Sequence, residues 1–537
     1  MLPFFNLNKN LFTFLFFFIF LIIGIAIFPH FGISIDEDNT RINGLSSLKY
    51  IFEILSPELI ENSDKFTNIP SLHEYREQGI GAIFDLPMAF MEYIFNISDS
   101  RQYYLLRHFF NYLIFFSSVC FFFLIIKKRY ESSHMAILGS LFLVLSPRIF
   151  ADSFYNNKDL IFLSLFIICL YYALKFLENS NIKNTILFSL TSSLATDIRI
   201  LGIILPIIII FFYLIKNFKF KNNKIKVLSP IILLLILTPL FITLFWPYLW
   251  NDPLNNFITI FKKLGHFDEN IYNFYFGEYI DARNIPWHYP VVWLGITTPL
   301  VYIILFIIGF IFTIKKIYKN LIKIEQDENN NFWQNKKEMQ DLVFFTTFLI
   351  PLIIVIYLNS TLYDGWRHLY FIYPSFLLIS LLGLHIIKIS FFRKRLNIFL
   401  ILAICLLSPT FIWMIKNHPY QYLYFNIFAG KDFNNNFEMD YWGLSNAKAL
   451  EYIAKKENGV VIVGSISTTD LNISKNFLLK KYRNKLLITS EIDNSKYIIN
   501  NHRNWLGKKI IVPMNYEIFY EIKIDEIPIN TIYKKIE

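Results

Sequence analysis

The chain has 537 residues, of which 55% are hydrophobic and only 17% charged, with 59 Phe and a formal net charge of +10. A soluble globular chain carries about 25% charged residues, so the composition excludes a soluble enzyme, and the apolar residues come in long blocks. The positive balance lacks a basic face with interleaved aromatics, which speaks against nucleic acid as a partner.

A membrane span needs roughly 20 apolar residues to cross about 30 Å of hydrocarbon. Runs of this kind lie at 11–29, 105–126, 134–150, 160–177, 184–198, 200–215, 228–249, 291–314, 342–358, 368–387 and 396–414, eleven in all. They predict an all-α polytopic membrane protein, with the lipid bilayer as its solvent. The first run continues into Pro29-His30-Phe31 without a small-residue cleavage site and reads as an uncleaved anchor.

Short loops carrying Lys and Arg set the orientation. Lys9, Lys127-Lys128-Arg129, Lys175 with Lys183, and the groups within 216–226, 315–337 and 388–395 put 21 positive residues on one side, read as cytoplasmic. The opposite side begins with a long loop, 30–104, whose residues 30–100 hold twelve acidic and four basic residues. The stretch 184–215 is short for two spans. With lysines at both ends it reads as a hairpin whose turn, Thr196-Asp197-Ile198-Arg199, stops near the outer leaflet. A charged turn at that depth is costly without a wet cavity or a partner. It marks either a site or a structural Asp197–Arg199 ion pair.

After about 415 the pattern changes. Residues 447–458 have helical periodicity, and short strands are predicted near 460–463, 486–489 and 509–512. The organisation is therefore a membrane domain, 1–414, and an extracytoplasmic α/β domain, 415–537. Cys120, Cys169 and Cys405 lie inside apolar runs, with neither metal-ligand spacing nor a disulfide framework.

The spans carry few charges, which counts against an ion-coupled transporter. Charge gathers instead at the outer mouth: Asp36-Glu37-Asp38 after the first span, Lys158-Asp159 and Arg367-His368 at the starts of later ones. Asp159 also sits where a helix N-cap belongs, and His288, between Trp287 and Tyr289, suits an interfacial aromatic belt.

These features, in this order, resemble the GT-C glycosyltransferases. The likeness is greatest to the protein O-mannosyltransferase-like group (glycosyltransferase family 39, bacterial type) and to the aminoarabinose transferases of lipid A. It rests on Gly32-Ile33-Ser34-Ile35-Asp36-Glu37, on Phe154-Tyr155-Asn156-Asn157-Lys158-Asp159 and on Trp366-Arg367-His368-Leu369-Tyr370-Phe371-Ile372-Tyr373-Pro374. The phrases running from His418 to Asn426 and from Asp440 to Ser445 add to it, so the resemblance covers most of residues 1–445. It implies a GT-C-like fold in the cell (inner) membrane with its active site on the extracytoplasmic side. The implied reaction moves a sugar, with inversion, from a polyprenyl-phosphate-linked donor to a hydroxyl-bearing acceptor.

Under that resemblance Asp36 is the expected base, since a hydroxyl needs one within about 3 Å. Glu37 and Asp159 position the base or hold a divalent cation. Lys158, Arg199, Arg367 and His368 face the donor phosphate, Arg367 with a bidentate fork. Arg41, Glu74, Arg76 and Glu77 are candidate loop contributors. No leaving-group acid is needed, in contrast to glycoside hydrolysis. The third outer loop has no β-trefoil insertion and the tail is soluble, so protein, lipid and glycan acceptors stay open. A transporter or flippase, and a surface-glycan polymerase or ligase, are the alternatives.

Overall fold

The computed structural model describes residues 9–61, 64–75, 77, 79–218, 224–265, 270–326, 332–503 and 511–536. Helix α1 (Lys9–Ile27) leads to α2 (Asp36–Leu55), the single turn α3 (Glu58–Glu61) and α4 (Asp85–Ile94), all three within the first outer loop. Then follow α5 (Ser100–Tyr130), α6 (Ser133–Val144), α7 (Pro147–Tyr155), α8 (Asp159–Glu178), α9 (Ile182–Ile198), α10 (Ile204–Phe218) and α11 (Lys224–Phe245). An outer segment holds α12 (Pro253–Gly265), the antiparallel hairpin β1 (Tyr272–Tyr275) and β2 (Glu278–Asp281), and α13 (Tyr289–Thr297). The bundle closes with α14 (Leu300–Gln326), α15 (Lys336–Tyr357), α16 (Tyr373–Phe391) and α17 (Leu396–Lys416).

Among the described residues, nine helices are long and apolar enough to cross a membrane, and α6 with α7 passes as a pair bent by 68°. The straight span expected at 134–150 is thus broken. Pro147 stands in the first turn of α7 after an extended Ser146, and the residue before a proline is pushed out of helical geometry. The expected run 291–314 is likewise divided between α13 and α14, at an extended Thr298 before Pro299. The run at 184–198 is α9, whose 17 residues are few for a full crossing.

Helices α8 and α16 form the centre. Of their apolar windows, 72% and 83% is buried inside the protein, against 11% for the first helix. Gly309 and Gly383 let α14 and α16 touch: a methyl at either position would meet the other helix's carbonyl at 2.1 and 2.0 Å. Such small-residue contacts are how spans pack where lipid supplies no hydrophobic drive. The Lys/Arg-rich loops lie at one end of the bundle, where Arg129 forks onto Asp341 at 2.7 Å and Lys316 pairs with Glu338 at 3.1 Å.

The tail lies at the other end. It holds α18 (Asn446–Lys456), β3 (Val461–Ser465), α19 (Leu471–Asn476), α20 (Lys480–Arg483), β4 (Leu486–Thr489), β5 (Tyr497–Asn500), β6 (Tyr516–Ile524) and β7 (Ile527–Lys535). The sheet order is β4-β3-β5-β7-β6, with β3 parallel to β4 and β5, and β7 antiparallel to β5 and β6. The predicted helix and the strands near 460–463 and 486–489 correspond to α18, β3 and β4. Of the strand expected at 509–512, residues 509 and 510 lie outside the described residues, and 511 and 512 are not in a strand. The tail rests on the first outer loop and the start of α5: Arg483 pairs with Asp99 at 3.2 Å, Ser100 Oγ donates to Asn476 O at 2.6 Å and Arg101 to Phe477 O at 2.7 Å.

Candidate active site at the mouth of the bundle

The two central spans begin at the same level and bring their first residues together. Helix α8 starts at Asp159, whose N–H donates to Asn156 Oδ1 at 2.8 Å. The cap position is Lys158, without a capping side chain, so Asp159 stands one residue inside the expected N-cap; Asn156 takes its N–H and the Asp159 carboxylate is left for other partners. One of its oxygens takes Arg199, and Oδ2 accepts from Arg367 Nη1 at 3.1 Å. Arg199 follows α9 with extended backbone, so its side chain swings out of the hairpin turn toward α8. Arg367 opens the 3-10 turn Arg367–Ile372 that runs into α16.

Arg367 is the hub. Its Nη1 also stands 3.6 Å from Asp36 Oδ2, and its Nη2 donates to Asp364 Oδ2 at 3.2 Å. The guanidinium carbon lies 4.8 Å from the Tyr363 ring and 5.0 Å from the Trp442 ring, so aromatic faces confine the cation from the sides. The His368 ring packs on Tyr363 with centroids 4.6 Å apart. At the edge of the group Lys158 Nζ pairs with Glu77 Oε2 at 3.0 Å. Several of these side chains are sealed, but 27% of the Asp36, 26% of the Glu77 and 23% of the Arg199 side chain remain exposed. A molecule entering the mouth meets the carboxylates of Asp36 and Glu77, the latter already paired with Lys158, and the edge of the Arg199 guanidinium.

The structure thus brings together Asp36, Glu77, Lys158, Asp159, Arg199, Arg367 and His368. It directs other expected residues elsewhere. Glu37 is buried and accepts from Ser34 N at 2.9 Å and pairs with His108 Nε2 at 2.9 Å. Asp38 accepts from Tyr104 Oη at 2.8 Å. Consecutive helical residues are about 100° apart, so three acids opening one helix face three directions, and Asp36 alone faces the mouth. Arg41 donates to Glu92 from Nε at 3.0 Å and stacks on Tyr103 at 3.8 Å. Glu74 is exposed, and Arg76 lies outside the described residues. Asp197 does not pair with Arg199. Its Oδ1 accepts from Ile83 N at 3.0 Å, in a contact so close that a methyl on Gly81 would fall 1.7 Å from Asp197 O. That contact fixes the first outer loop onto the hairpin turn.

Three contributors were missed as site residues in the sequence: Asp364, Glu438 and Arg503. Arg503 Nη1 lies 2.9 Å from Asp364 Oδ1 and 2.5 Å from Glu438 Oε1. One guanidinium shared between two buried acids leaves them under-compensated. Burial and Asp364 push Glu438 up to about 7 against the pull of Arg503. Burial likewise lifts Asp85, on α4, to about 6 although Arg107 stands 2.9 Å away. Asp364 was visible as part of an outer loop, whereas Glu438 and Arg503 stand in polar stretches with no spacing to single them out.

Glu37 and Asp159, the pair expected to hold a divalent cation, do not fit one. The Glu37 oxygens are taken by Ser34 and His108, and those of Asp159 by two guanidiniums. Among the described residues no three His, Cys, Asp or Glu side chains converge for a metal.

Residues 88–242 match the sequence model of a family described as dolichyl-phosphate-mannose-protein mannosyltransferase. The matched stretch contains Lys158, Asp159 and Arg199, with Asp36 before it and Arg367 after it. A comparison with curated protein sequences found no match. Among solved structures the chain is similar to the Archaeoglobus fulgidus oligosaccharyltransferase in the apo form, at 12% identity and a TM-score of 0.48, covering 88% of this chain and 66% of that one. It is also similar to ArnT from Cupriavidus metallidurans bound to undecaprenyl phosphate, at 8% identity and a TM-score of 0.45, covering 97% of each chain. A third is AglB from Archaeoglobus fulgidus in complex with an inhibitory peptide and a dolichol-phosphate, at 12% identity and a TM-score of 0.43, covering 88% and 66%. The chain spans just under two thirds of the length of the archaeal oligosaccharyltransferase. These likenesses concern the fold alone.

Proposed function

We propose that this chain, whose residues 88–242 match the model of the dolichyl-phosphate-mannose-protein mannosyltransferase family, is a GT-C membrane glycosyltransferase that moves a sugar from a polyprenyl-phosphate carrier to a hydroxyl acceptor. The observation that carries the reading is the partly exposed Asp36 carboxylate set 3.6 Å from a fixed Arg367, with the partly exposed Arg199 bound to the same Asp159. Asp36 takes the proton of the acceptor hydroxyl as its oxygen attacks the anomeric carbon from the face opposite the phosphate. The bond to the phosphate oxygen breaks, the carrier leaves as polyprenyl phosphate and the sugar is inverted. Arg199, with Lys158 and Arg367 behind it, lowers the cost of the charge that develops on the leaving phosphate. His368 packs beneath and holds Tyr363, which confines Arg367.

In this reading the mouth faces the extracytoplasmic side of the cell (inner) membrane, because the Lys/Arg-rich loops lie at the opposite end of the bundle. Protein, lipid and glycan acceptors are all compatible with a mouth that offers one base and no built acceptor pocket among the residues named.

The test is sugar transfer by purified protein in lipid vesicles, supplied with polyprenyl monophosphate- or diphosphate-linked donors. The monophosphate donor should yield glycosylated acceptor and free polyprenyl phosphate, and Asp36→Asn should abolish both while abundance and insertion stay normal. Full activity of that variant, or turnover of the diphosphate donor alone, would overturn the assignment.

A further inference from the structure

We propose that Arg503, supplied by the soluble tail, is a positioning residue of the mouth: it holds Asp364, and through Asp364 the fork of Arg367. The tail is then a working part of the reacting face. This inference rests on the reading of that face as the site of glycosyl transfer.

The delivery of Arg503 follows from the tail's topology. Strands β3 and β5 run parallel, and their carboxyl ends open toward the bundle, the edge at which open α/β sheets place their functional loops. Residues 501–503 leave β5 at that edge. Their backbone is fixed on two sides. Thr468, in the loop after β3, donates to Arg503 O from its N–H at 3.2 Å and from Oγ1 at 3.4 Å. Asn501 Nδ2 donates to Asp440 O at 2.8 Å, tying the same stretch to the turn before α18. Asp440 itself is held by Tyr422 Oη at 2.6 Å and by the N–H groups of Leu444 and Ser445 at 3.0 Å. The Arg503 guanidinium is thus carried by a braced segment.

What Arg503 meets is a carboxylate in an unusual backbone setting. Asp364 has φ +58°, a left-handed conformation that ordinary side chains seldom adopt. The turn is kept there by Asn273 Oδ1, which accepts from Asp364 N at 3.1 Å, and by Tyr289 Oη, which accepts from Gly365 N at 3.2 Å. With the main chain pinned, the carboxylate faces Arg503 with Oδ1 and Arg367 with Oδ2. A continuous ionic chain runs from Glu438 through Arg503 and Asp364 to Arg367, and from there to Asp36 and Asp159. Without Arg503, two buried carboxylates face each other with no cation between them. Asp364 then draws on Arg367 alone, and the nitrogen shared with Asp36 and Asp159 is pulled off its place.

Arg503 touches neither the exposed Asp36 nor the exposed edge of Arg199, so its effect is exerted through geometry. A displacement of about 1 Å at a reacting centre costs on the order of a hundredfold in rate.

The experiment uses full-length protein in vesicles and reads initial rates against polyprenyl monophosphate-linked donor and against acceptor separately. The variants are R503M, R503K, the double variant R503M/E438Q, and D36N as reference, each checked for monodispersity. R503M should lower kcat/KM for the donor by roughly ten- to a hundredfold and leave the acceptor KM unchanged. R503K should recover most of that loss, because it restores a cation between Asp364 and Glu438. The double variant removes the buried acid along with its cation. It should be as well folded as wild type and as slow as R503M, which separates position from folding if R503M itself is unstable. Wild-type kinetics in a well-folded R503M or R503M/E438Q, with D36N inactive, would refute the role of Arg503 and leave the glycosyl-transfer reading standing. An active D36N would overturn that reading and this inference with it.

Discussion

Arg367 reaches Asp159 across 208 positions of sequence, with Nη1 and Oδ2 3.1 Å apart. The same cation faces Asp36 and Asp364, so three carboxylates from three segments set its place before any substrate arrives. The fork is needed for this, because an ammonium cannot satisfy three acids in one plane. Arg367→Lys should lower kcat on the order of a hundredfold while the protein remains folded. A rate within threefold of wild type would show that charge alone suffices.

Asp159 is the counter-charge for two guanidiniums. Asp159→Asn leaves both under-compensated in a buried setting and should cost about 3–5 kcal/mol of stability, read as a lowered unfolding midpoint in detergent. A variant as stable as wild type would mean that the pairs contribute little.

Glu37 and Asp36 are neighbours with separate tasks. Glu37→Gln weakens the contact with His108 and the Ser34 N–H and should destabilise by about 1–3 kcal/mol, leaving kcat nearly unchanged. Loss of turnover in stable Glu37→Gln protein would return Glu37 to the reacting face.

Gly81→Ala places a methyl against the Asp197 main chain at 1.7 Å, whereas at Gly295 nothing lies within 4 Å. Gly81→Ala should therefore lower yield and stability, and Gly295→Ala should serve as a near-neutral control. Equal behaviour of the two in expression and thermal unfolding would contradict the close packing of the first outer loop on the hairpin turn.

Glu438 is lifted from 4.5 to about 7 and Asp85 from 3.8 to about 6, in both cases mainly by burial. Folding raises their proton affinity, so their contribution to stability is greatest below the ordinary carboxylate range. It declines as pH rises through about 4 to 7 and is flat above. Between pH 5 and 7.5 the stability difference between wild type and Glu438→Gln should shift in favour of the variant as pH rises, read from their unfolding midpoints. A difference that does not change with pH would show that Glu438 titrates normally.

The carboxylates expected to bind a cation are already opposed by guanidiniums or other fixed partners. Excess chelator should leave transfer by purified protein nearly unchanged. Loss of activity, restored by a divalent ion, would place a metal at the mouth.

Much of the bundle was legible because apolar length needs no tertiary context. The breaks were not: the bend at Ser146-Pro147 and the split at Thr298-Pro299 are local backbone events inside stretches that stay apolar. Charge scarcity pointed to Asp36, Lys158, Asp159, Arg199 and Arg367, since so few ionisable residues stood near the spans. It could not tell Asp36 from Glu37, because direction around a helix depends on where that helix begins. Arg503 was illegible for a different reason. It becomes part of the mouth only once β3 and β5 are aligned and the tail is docked, and neither event has a local signature.

The sheet order carries one more consequence. Strand β7 (Ile527–Lys535) lies between β5 and β6 although it follows both of them in the chain. Until it has emerged from the ribosome, β5 has an open edge and the segment bearing Arg503 lacks its lateral support. The membrane helices can insert and assemble well before then. The mouth therefore closes late, and a nascent chain already threaded through the bilayer lacks a braced Arg503 until β7 is in place.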